Sequence, residues 1–188
     1  MNAAKLVSAI LSYPVIGFFE IIFLSTIEKI EMLNLIVIIS LHSIAPFLAP
    51  LIYGLFYIKG DFFIDDRRHR LPMFIPGILS YFLAYIFSKN IGLKYIPLLE
   101  IISTISTIIL FIITFKWKIS IHMASLTIPL IFFPLIGFQY TIFLSPLLLV
   151  LAWARIKMKA HDFKQIVSGV IEGIVAVFLV IFCQIFSS

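Results

Sequence analysis

Three stretches of the chain each combine several charged side chains with a histidine, although they lie far apart in the sequence. They are residues 61–72 (DFFIDDRRHRLP), 116–125 (KWKISIHMAS) and 154–165 (ARIKMKAHDFKQ). Each stretch is predicted to stand where a helix begins, and helix starts present free backbone N–H groups and a partial positive charge to an anion. Arginine can also hold phosphate oxygens in forked hydrogen bonds. The pattern therefore indicates a phosphate site.

Several cations together with two histidines are what phosphoryl transfer by side chains alone requires. One imidazole can attack the phosphorus atom while the other protonates the leaving oxygen. Two histidines in these stretches, His122 and His161, stand at predicted helix starts. His69 lies in the RRHR segment and is interpreted as a loop residue.

The third stretch resembles a motif of the type 2 phosphatidic acid phosphatase superfamily, membrane lipid phosphatases related to vanadium haloperoxidases. That motif is serine and arginine, five residues, histidine, three residues and aspartate. Arg155 and His161 match it at the required spacing. Ala154 replaces the serine and Gln165 replaces the aspartate.

The other two stretches resemble the remaining motifs of that family. Of proline, serine, glycine and histidine, the chain keeps Ser120 and His122. Another family motif is lysine, six residues, arginine and proline. The chain keeps its arginine and proline as Arg70 and Pro72, with one residue inserted between them, and Phe63 stands at the lysine position. Two cations are candidates to replace that lysine, Arg67 and Lys118. The resemblance covers residues 59–186 of a single predicted membrane domain, 1–188.

The resemblance implies a role for each matching residue. His161 would be the nucleophile that forms a phosphohistidine, and His122 the general acid for the leaving group. Arg155 and Arg70 would bind the phosphoryl oxygens. It implies neither a metal nor a cofactor.

Gln165 stands where the family has the aspartate that orients the nucleophilic histidine. It follows His161 by about one helical turn. A glutamine carbonyl can accept the imidazole N–H and determine the tautomer, although it brings no negative charge. Asp162, next to His161, is the alternative orienting residue.

The expected function is hydrolysis of a lipid phosphate or an isoprenoid diphosphate that enters from the bilayer. An inactive relative that binds or transports a lipid phosphate is the alternative, because motif residues are replaced. A magnesium-dependent prenyltransferase ranks lower. Asp61 and Asp65 suit a metal-bound diphosphate, but only Asp162 is available as a further aspartate outside 61–66.

The elements that must position these residues are predicted to be transmembrane helices. The 188 residues are 62% hydrophobic and 12% charged, with a mean hydropathy of +1.17, far outside the composition of soluble domains.

The net charge of +5 is expected in loops beside the membrane, so no nucleic-acid partner is predicted. Cys183 has no cysteine partner for an intrachain disulfide. The first apolar stretch is too long for a cleavable signal peptide and contains Glu20.

Apolar runs of the length needed to cross a bilayer predict an all-α polytopic helical bundle with seven spans. The predicted spans are residues 5–27, 34–58, 71–88, 95–115, 119–137, 140–155 and 164–186. Six spans is the alternative, because only a tight turn near residues 137–140 separates two short segments. Prolines inside the runs are predicted to kink the helices rather than end them.

Alternating spans divide the lysines and arginines between the two membrane faces, eleven against three. The richer face contains all three polar stretches. By the positive-inside rule this face is cytoplasmic, and the expected location is the inner membrane of a prokaryote. The oligomeric state is not readable from the sequence.

Four ionisable residues fall within predicted spans and away from their ends, where a charge is costly and normally has a partner. They are Glu20, His42, Glu100 and Glu172. His42 is predicted to pair with one of the glutamates. Glu172 stands two turns after Gln165, and the same helix face would line a substrate groove.

Overall fold

The structure is a computed structural model that describes residues 3–56 and 67–185, with the side chains of 67, 68 and 185 left aside. All regular secondary structure in these residues is helical. The α-helices are α1 (Ala3–Ile10), α2 (Tyr13–Glu28), α3 (Met32–Ile39), α4 (Ala45–Phe56), α5 (Arg67–Asn90), α6 (Ile96–Thr114), α7 (Ile121–Leu135), α8 (Pro146–Lys157) and α9 (Phe163–Ile185). A π-helical segment, Ser40–Ile44, joins α3 to α4, and a 3₁₀ helix, Gln139–Leu144, precedes α8.

The predicted all-α transmembrane bundle is confirmed, and the protein is membrane-embedded. Within the described residues, five stretches are long and apolar enough to cross a bilayer, namely Met32–Phe56, His69–Asn90, Ile96–Thr114, Gln139–Lys157 and Phe163–Gln184. The pair α1 and α2, bent by 41° at a short break, gives a sixth if it is one span.

Helix α7 differs from its predicted span, 119–137, because it contains only 15 residues. At 1.5 Å per residue it is roughly 22 Å long, shorter than the hydrocarbon core of about 30 Å. It ends at Leu135, and the following turn contains Gly137 with a φ of 106°. A positive φ of this size costs a glycine little, so the turn separates α7 from the 3₁₀ helix as the sequence predicted.

The prolines inside the apolar runs do not lie in loops, but Pro146 begins a helix and does not lie inside one as predicted. Pro50 lies inside α4, and Pro129 and Pro134 lie inside α7. Pro146 is at the start of α8, where its missing N–H costs no hydrogen bond.

The helices form two compact units. One, called here the split unit, comprises the described residues within 1–16 and 118–188; the other, the central unit, comprises the described residues within 17–117. The single domain 1–188 and the family-like core 59–186 stay predictions.

In the split unit, α7 and α9 pack with their backbones unusually close. A Cβ atom at Gly169 would lie 2.5 Å from the carbonyl oxygen of Ser120 and 2.9 Å from Cβ of Met123. One turn later, a Cβ atom at Gly173 would lie 2.8 Å from the carbonyl oxygen of Ala124. Small residues four apart are a common way for helices in membranes to approach closely. The contact requires glycine at both positions.

An apolar core lies beside this contact in the split unit. Its buried members come from α7, α8 and α9, and they are Met123, Leu126, Leu130, Leu151 and Ile166. Helix α1 packs against α8. These contacts hold the end of α8 and the starts of α7 and α9 in defined positions.

In the central unit, α5 packs along α6 and also contacts α4 and the π-helical segment. The hydroxyl of Ser80 on α5 donates to the carbonyl oxygen of Leu41. A π-helical turn departs from the regular α-helical hydrogen-bond pattern, and Ser80 supplies this carbonyl with a side-chain donor from a neighbouring helix.

A carboxylate from the end of α2 caps the start of α6. Glu28 Oε1 accepts hydrogen bonds from the backbone N–H groups of Lys94 and Tyr95, the latter at 2.9 Å, and Oε2 accepts one from Ile96 at 3.1 Å. The first N–H groups of a helix have no partner within the helix, and the helix dipole favours a negative charge there. Glu28 therefore links two helices of the central unit.

Replacement of Gly169 by alanine should lower the free energy of unfolding by about 1–3 kcal/mol, because the added methyl group meets backbone on α7. The matched control is Gly77→Ala on α5, where an added Cβ atom would meet its nearest neighbours at 3.7 Å. That change should be neutral or stabilise by about 0.5–1 kcal/mol. Denaturant titration of the detergent-purified variants measures both, and equal effects would contradict the close α7–α9 contact.

Replacement of Glu28 by alanine should destabilise the protein by about 1–2 kcal/mol, because it removes a charged cap from α6. Glu31→Ala is the control, since Glu31 is exposed and its side chain makes no capping hydrogen bond to α3. The same titration should show less than about 0.5 kcal/mol for this control.

Candidate functional site

The site begins at the last turn of α8, which contains Arg155. The guanidinium is buried, with 2% of the residue exposed, and its Nη1 donates a hydrogen bond to Oγ of Ser8 at 2.7 Å. Ser8 lies on α1 and is itself fully buried. An arginine buried in an apolar bundle needs hydrogen-bond acceptors, and α1 supplies one of them.

A tight turn after α8 places His161 close to Arg155 along the backbone. Lys159 has a positive φ of 54°. The N–H of Ala160 donates to the carbonyl oxygen of Arg155 at 3.1 Å, and that of Lys159 to Ile156 at 2.8 Å. This pair of bonds is the Schellman pattern that ends many helices. The chain therefore reverses within a few residues, and α9 starts beside the end of α8.

Gln165 holds the ring of His161. Its Oε1 lies 2.9 Å from Nδ1 of His161, which is buried with 6% exposed. Because an amide oxygen only accepts hydrogen bonds, Nδ1 carries the proton in this arrangement and the lone pair of a neutral ring is on Nε2. Gln165 thus makes the contact expected from its spacing to His161.

Asp162 has a different contact. Its Oδ1 accepts the backbone N–H of Gln165 at 2.8 Å, and the side chain is exposed. This is a helix N-cap interaction, which satisfies one of the first N–H groups of α9. The side chain that meets the ring of His161 is therefore Gln165, which lies on α9, while Asp162 caps that helix and His161 lies just before the cap.

The second polar stretch joins the third at the start of α7. The backbone N–H of Ser120 donates to the carbonyl oxygen of Gln165 at 3.3 Å. Ser120 is fully buried, and its Oγ has no hydrogen-bond partner among the described residues. His122, half-buried, lies in the first turn of α7. The start of α7 thus stands next to the start of α9.

The remaining residues predicted to bind phosphate do not all belong to the same unit. Lys118 is half-buried just before α7, in the split unit. Arg70 is buried in the first turns of α5, with 9% exposed, and belongs to the central unit. Arg67 begins α5, but its side chain and residues 61–66 lie outside the described part of the chain.

Two further polar residues of the split unit, Glu172 and Ser8, are buried in helices. Glu172 is buried on α9, with 4% exposed, two turns after Gln165. The sequence analysis did not predict the contact of Ser8 with Arg155. A single serine in an apolar helix gives no signal of its own, and only the packing of α1 on α8 reveals its partner.

The predicted intramembrane pairing of His42 is confirmed and extends to two glutamates of the central unit. Nδ1 of His42 lies 2.9 Å from Oε2 of Glu100, and Nε2 lies 3.3 Å from Oε2 of Glu20. All three side chains are buried.

Comparisons with protein-family models, with curated proteins and with solved structures give no match to this chain. The fold and the site define a class: an all-α, membrane-embedded protein in which one compact unit holds a buried arginine, a hydrogen-bonded histidine and two helix starts.

Proposed function

We propose that the protein is an integral-membrane phosphatase that hydrolyses a lipid phosphate or an isoprenoid diphosphate through a phosphohistidine at His161. The observation that supports this most is the hydrogen bond from Nδ1 of His161 to Gln165, which directs the lone pair to Nε2. A neutral imidazole with a fixed tautomer is a competent nucleophile toward phosphorus. The buried Arg155 and the starts of α7 and α9 supply positive potential near it.

In the proposed reaction, Nε2 of His161 attacks the phosphorus atom as the bond from phosphorus to the leaving oxygen breaks. His122 donates a proton to that oxygen, so the alcohol or phosphate leaves in neutralised form. Water then attacks the phosphohistidine, the N–P bond breaks, and inorganic phosphate is released while His122 takes the proton back. Arg155 offsets charge on the equatorial oxygens throughout.

The substrate and location follow from the surroundings of the site. The apolar side chains of α7, α8 and α9 in the split unit suit an acyl or prenyl chain that enters from the bilayer. The excess of lysine and arginine on one face, eleven against three by the sequence assignment, favours a cytoplasmic site in a prokaryotic inner membrane.

A second candidate function is binding or transport of a lipid phosphate without catalysis. It is favoured by Gln165, because a neutral amide cannot stabilise the imidazolium as the family aspartate does. The third, a magnesium-dependent prenyltransferase, depends on Asp61 and Asp65, which lie outside the described residues.

The proposal predicts that detergent-purified protein releases inorganic phosphate from at least one of phosphatidate, phosphatidylglycerophosphate and prenyl diphosphates. Release should persist in EDTA and fall by at least about a hundredfold in His161→Ala, because general acid and nucleophilic residues contribute factors of this size. His69→Ala is the matched control, since His69 is exposed on α5, and it should retain activity.

Three other results would contradict a metal-free phosphatase that acts through His161. Binding of a lipid phosphate without release, by well-folded protein, would support the second candidate. Release abolished by EDTA would favour the aspartates of residues 61–66 instead. Release that is unchanged in His161→Ala would exclude the phosphohistidine.

Replacement of Gln165 by glutamate should raise kcat by about tenfold. A carboxylate accepts the Nδ1–H more strongly than an amide does, by about 1 kcal/mol or more, and stabilises the charge that develops on the ring. Gln165→Leu is the paired variant and should lower kcat, because it leaves the tautomer undetermined. Steady-state phosphate release measures both, and equal rates in the two variants would show that Gln165 does not act through His161.

A further inference from the structure

A polar cluster in the central unit lies outside the proposed phosphatase site. It consists of His42 in the π-helical segment, Glu20 on α2 and Glu100 on α6, all within stretches long enough to span a membrane or, for α2, to be part of a bent span. Exposed fractions are 3% for His42, 7% for Glu20 and 0% for Glu100. Ionisable groups at such positions are costly, and they commonly mark ion or proton pathways.

Several features of the local backbone keep His42 in place. It lies in the π-helical turn, and such turns are frequent at functional sites. A Cβ atom at residue 17 would lie 2.8 Å from Cδ2 and 2.9 Å from Nε2 of the ring, so Gly17 leaves the room that His42 occupies. Tyr81 on α5 packs edge to face against the ring at 5.1 Å between centroids.

A count of protons shows what the cluster must hold. Both ring nitrogens of His42 lie at hydrogen-bond distance from a carboxyl oxygen, so each of the two contacts needs a hydrogen atom. With those two protons alone, an imidazolium faces two carboxylates and the cluster has one net negative charge. Burial in an apolar bundle disfavours a net charge. A third proton makes the cluster electroneutral.

The third proton needs a carboxyl oxygen that does not face the ring. Oε1 of Glu100 is such an atom: it is buried and has no hydrogen-bond partner among the described residues. As part of a carboxylate, this oxygen would be a buried negative atom without a donor, which is strongly unfavourable. As part of a protonated carboxyl, it is neutral.

A metal ion fits the cluster less well. A ring nitrogen that binds a metal must point its lone pair at the ion, whereas both nitrogens of His42 face carboxyl oxygens at hydrogen-bond distances. Within the described residues, no group of three or more His, Cys, Asp or Glu side chains is arranged to hold a metal ion.

We propose that Glu20, His42 and Glu100 form an intramembrane proton-binding site that holds three protons at rest and exchanges one of them, with Oε1 of Glu100 as the atom that binds it. The site is independent of the proposed phosphatase. Tyr81 is a further titratable side chain that contacts the ring.

Infrared spectroscopy of the full chain in lipid nanodiscs tests this directly. Near neutral pH the wild-type protein should show the C=O stretching band of a protonated carboxyl group. Transfer to D₂O should shift the band, which shows that the proton exchanges with water. Absence of the band from folded wild-type protein would overturn the proposal.

Single variants assign the band to the cluster. Glu100→Gln and Glu20→Gln should each reduce the band by at least about half, because one carboxyl beside one imidazole is electroneutral with only two protons. In His42→Gln the band should be retained or should grow, since both carboxyls must then be neutral. Glu31→Gln, an exposed control, should leave it unchanged.

A band that is unchanged in both glutamate variants, or lost only in Glu172→Gln, would overturn the assignment. If neither variant folds, as judged by circular dichroism and gel filtration, solid-state NMR of the wild-type chain replaces them. Labelling of glutamate carboxyl carbons and histidine ring nitrogens should then show a protonated carboxyl carbon in contact with a ring nitrogen. A spectrum in which every carboxyl near a ring nitrogen is ionised would refute the site.

Discussion

The close approach of α7 and α9 at Gly169 and Gly173 is the contact on which the arrangement of the split unit depends. Without a Cβ atom at either position, the backbone of α9 reaches the carbonyl oxygens of Ser120 and Ala124. The same approach lets the N–H of Ser120 bond to the carbonyl oxygen of Gln165. Two polar stretches that are some forty residues apart in the sequence are thereby joined at one pair of helix starts.

A second constraint acts throughout the molecule: polar groups inside an apolar bundle must be satisfied by other parts of the protein. Arg155 meets Ser8 from α1, and His42 meets glutamates from α2 and α6. Glu28 satisfies N–H groups at the start of α6. In each case the partner comes from a different helix, so these hydrogen bonds also determine which helices are neighbours.

Hydropathy predicted the helices well, because the length of an apolar run is a local property of the sequence. It overestimated α7, whose helix ends at Leu135 where the turn at Gly137 begins. Pairing of His42 was also predictable, since a charge inside a span needs a partner. The sequence did not predict that Glu20 and Glu100 both contact His42. Which glutamates contact it depends on the rotation of α2 and α6 about their axes.

The sequence by itself determined the membrane-embedded, all-α class, because the length of an apolar run is a local property, and it placed both Gln165 and Asp162 within reach of His161. Which of the two meets the ring depends on the turn before α9, because His161 precedes that helix and Asp162 caps it. Tertiary structure alone decided that Ser8 bonds Arg155 and that Ser120 joins Gln165. Contacts between helices depend on packing, and an apolar run is equally apolar on every side, so its sequence does not specify which side meets which neighbour.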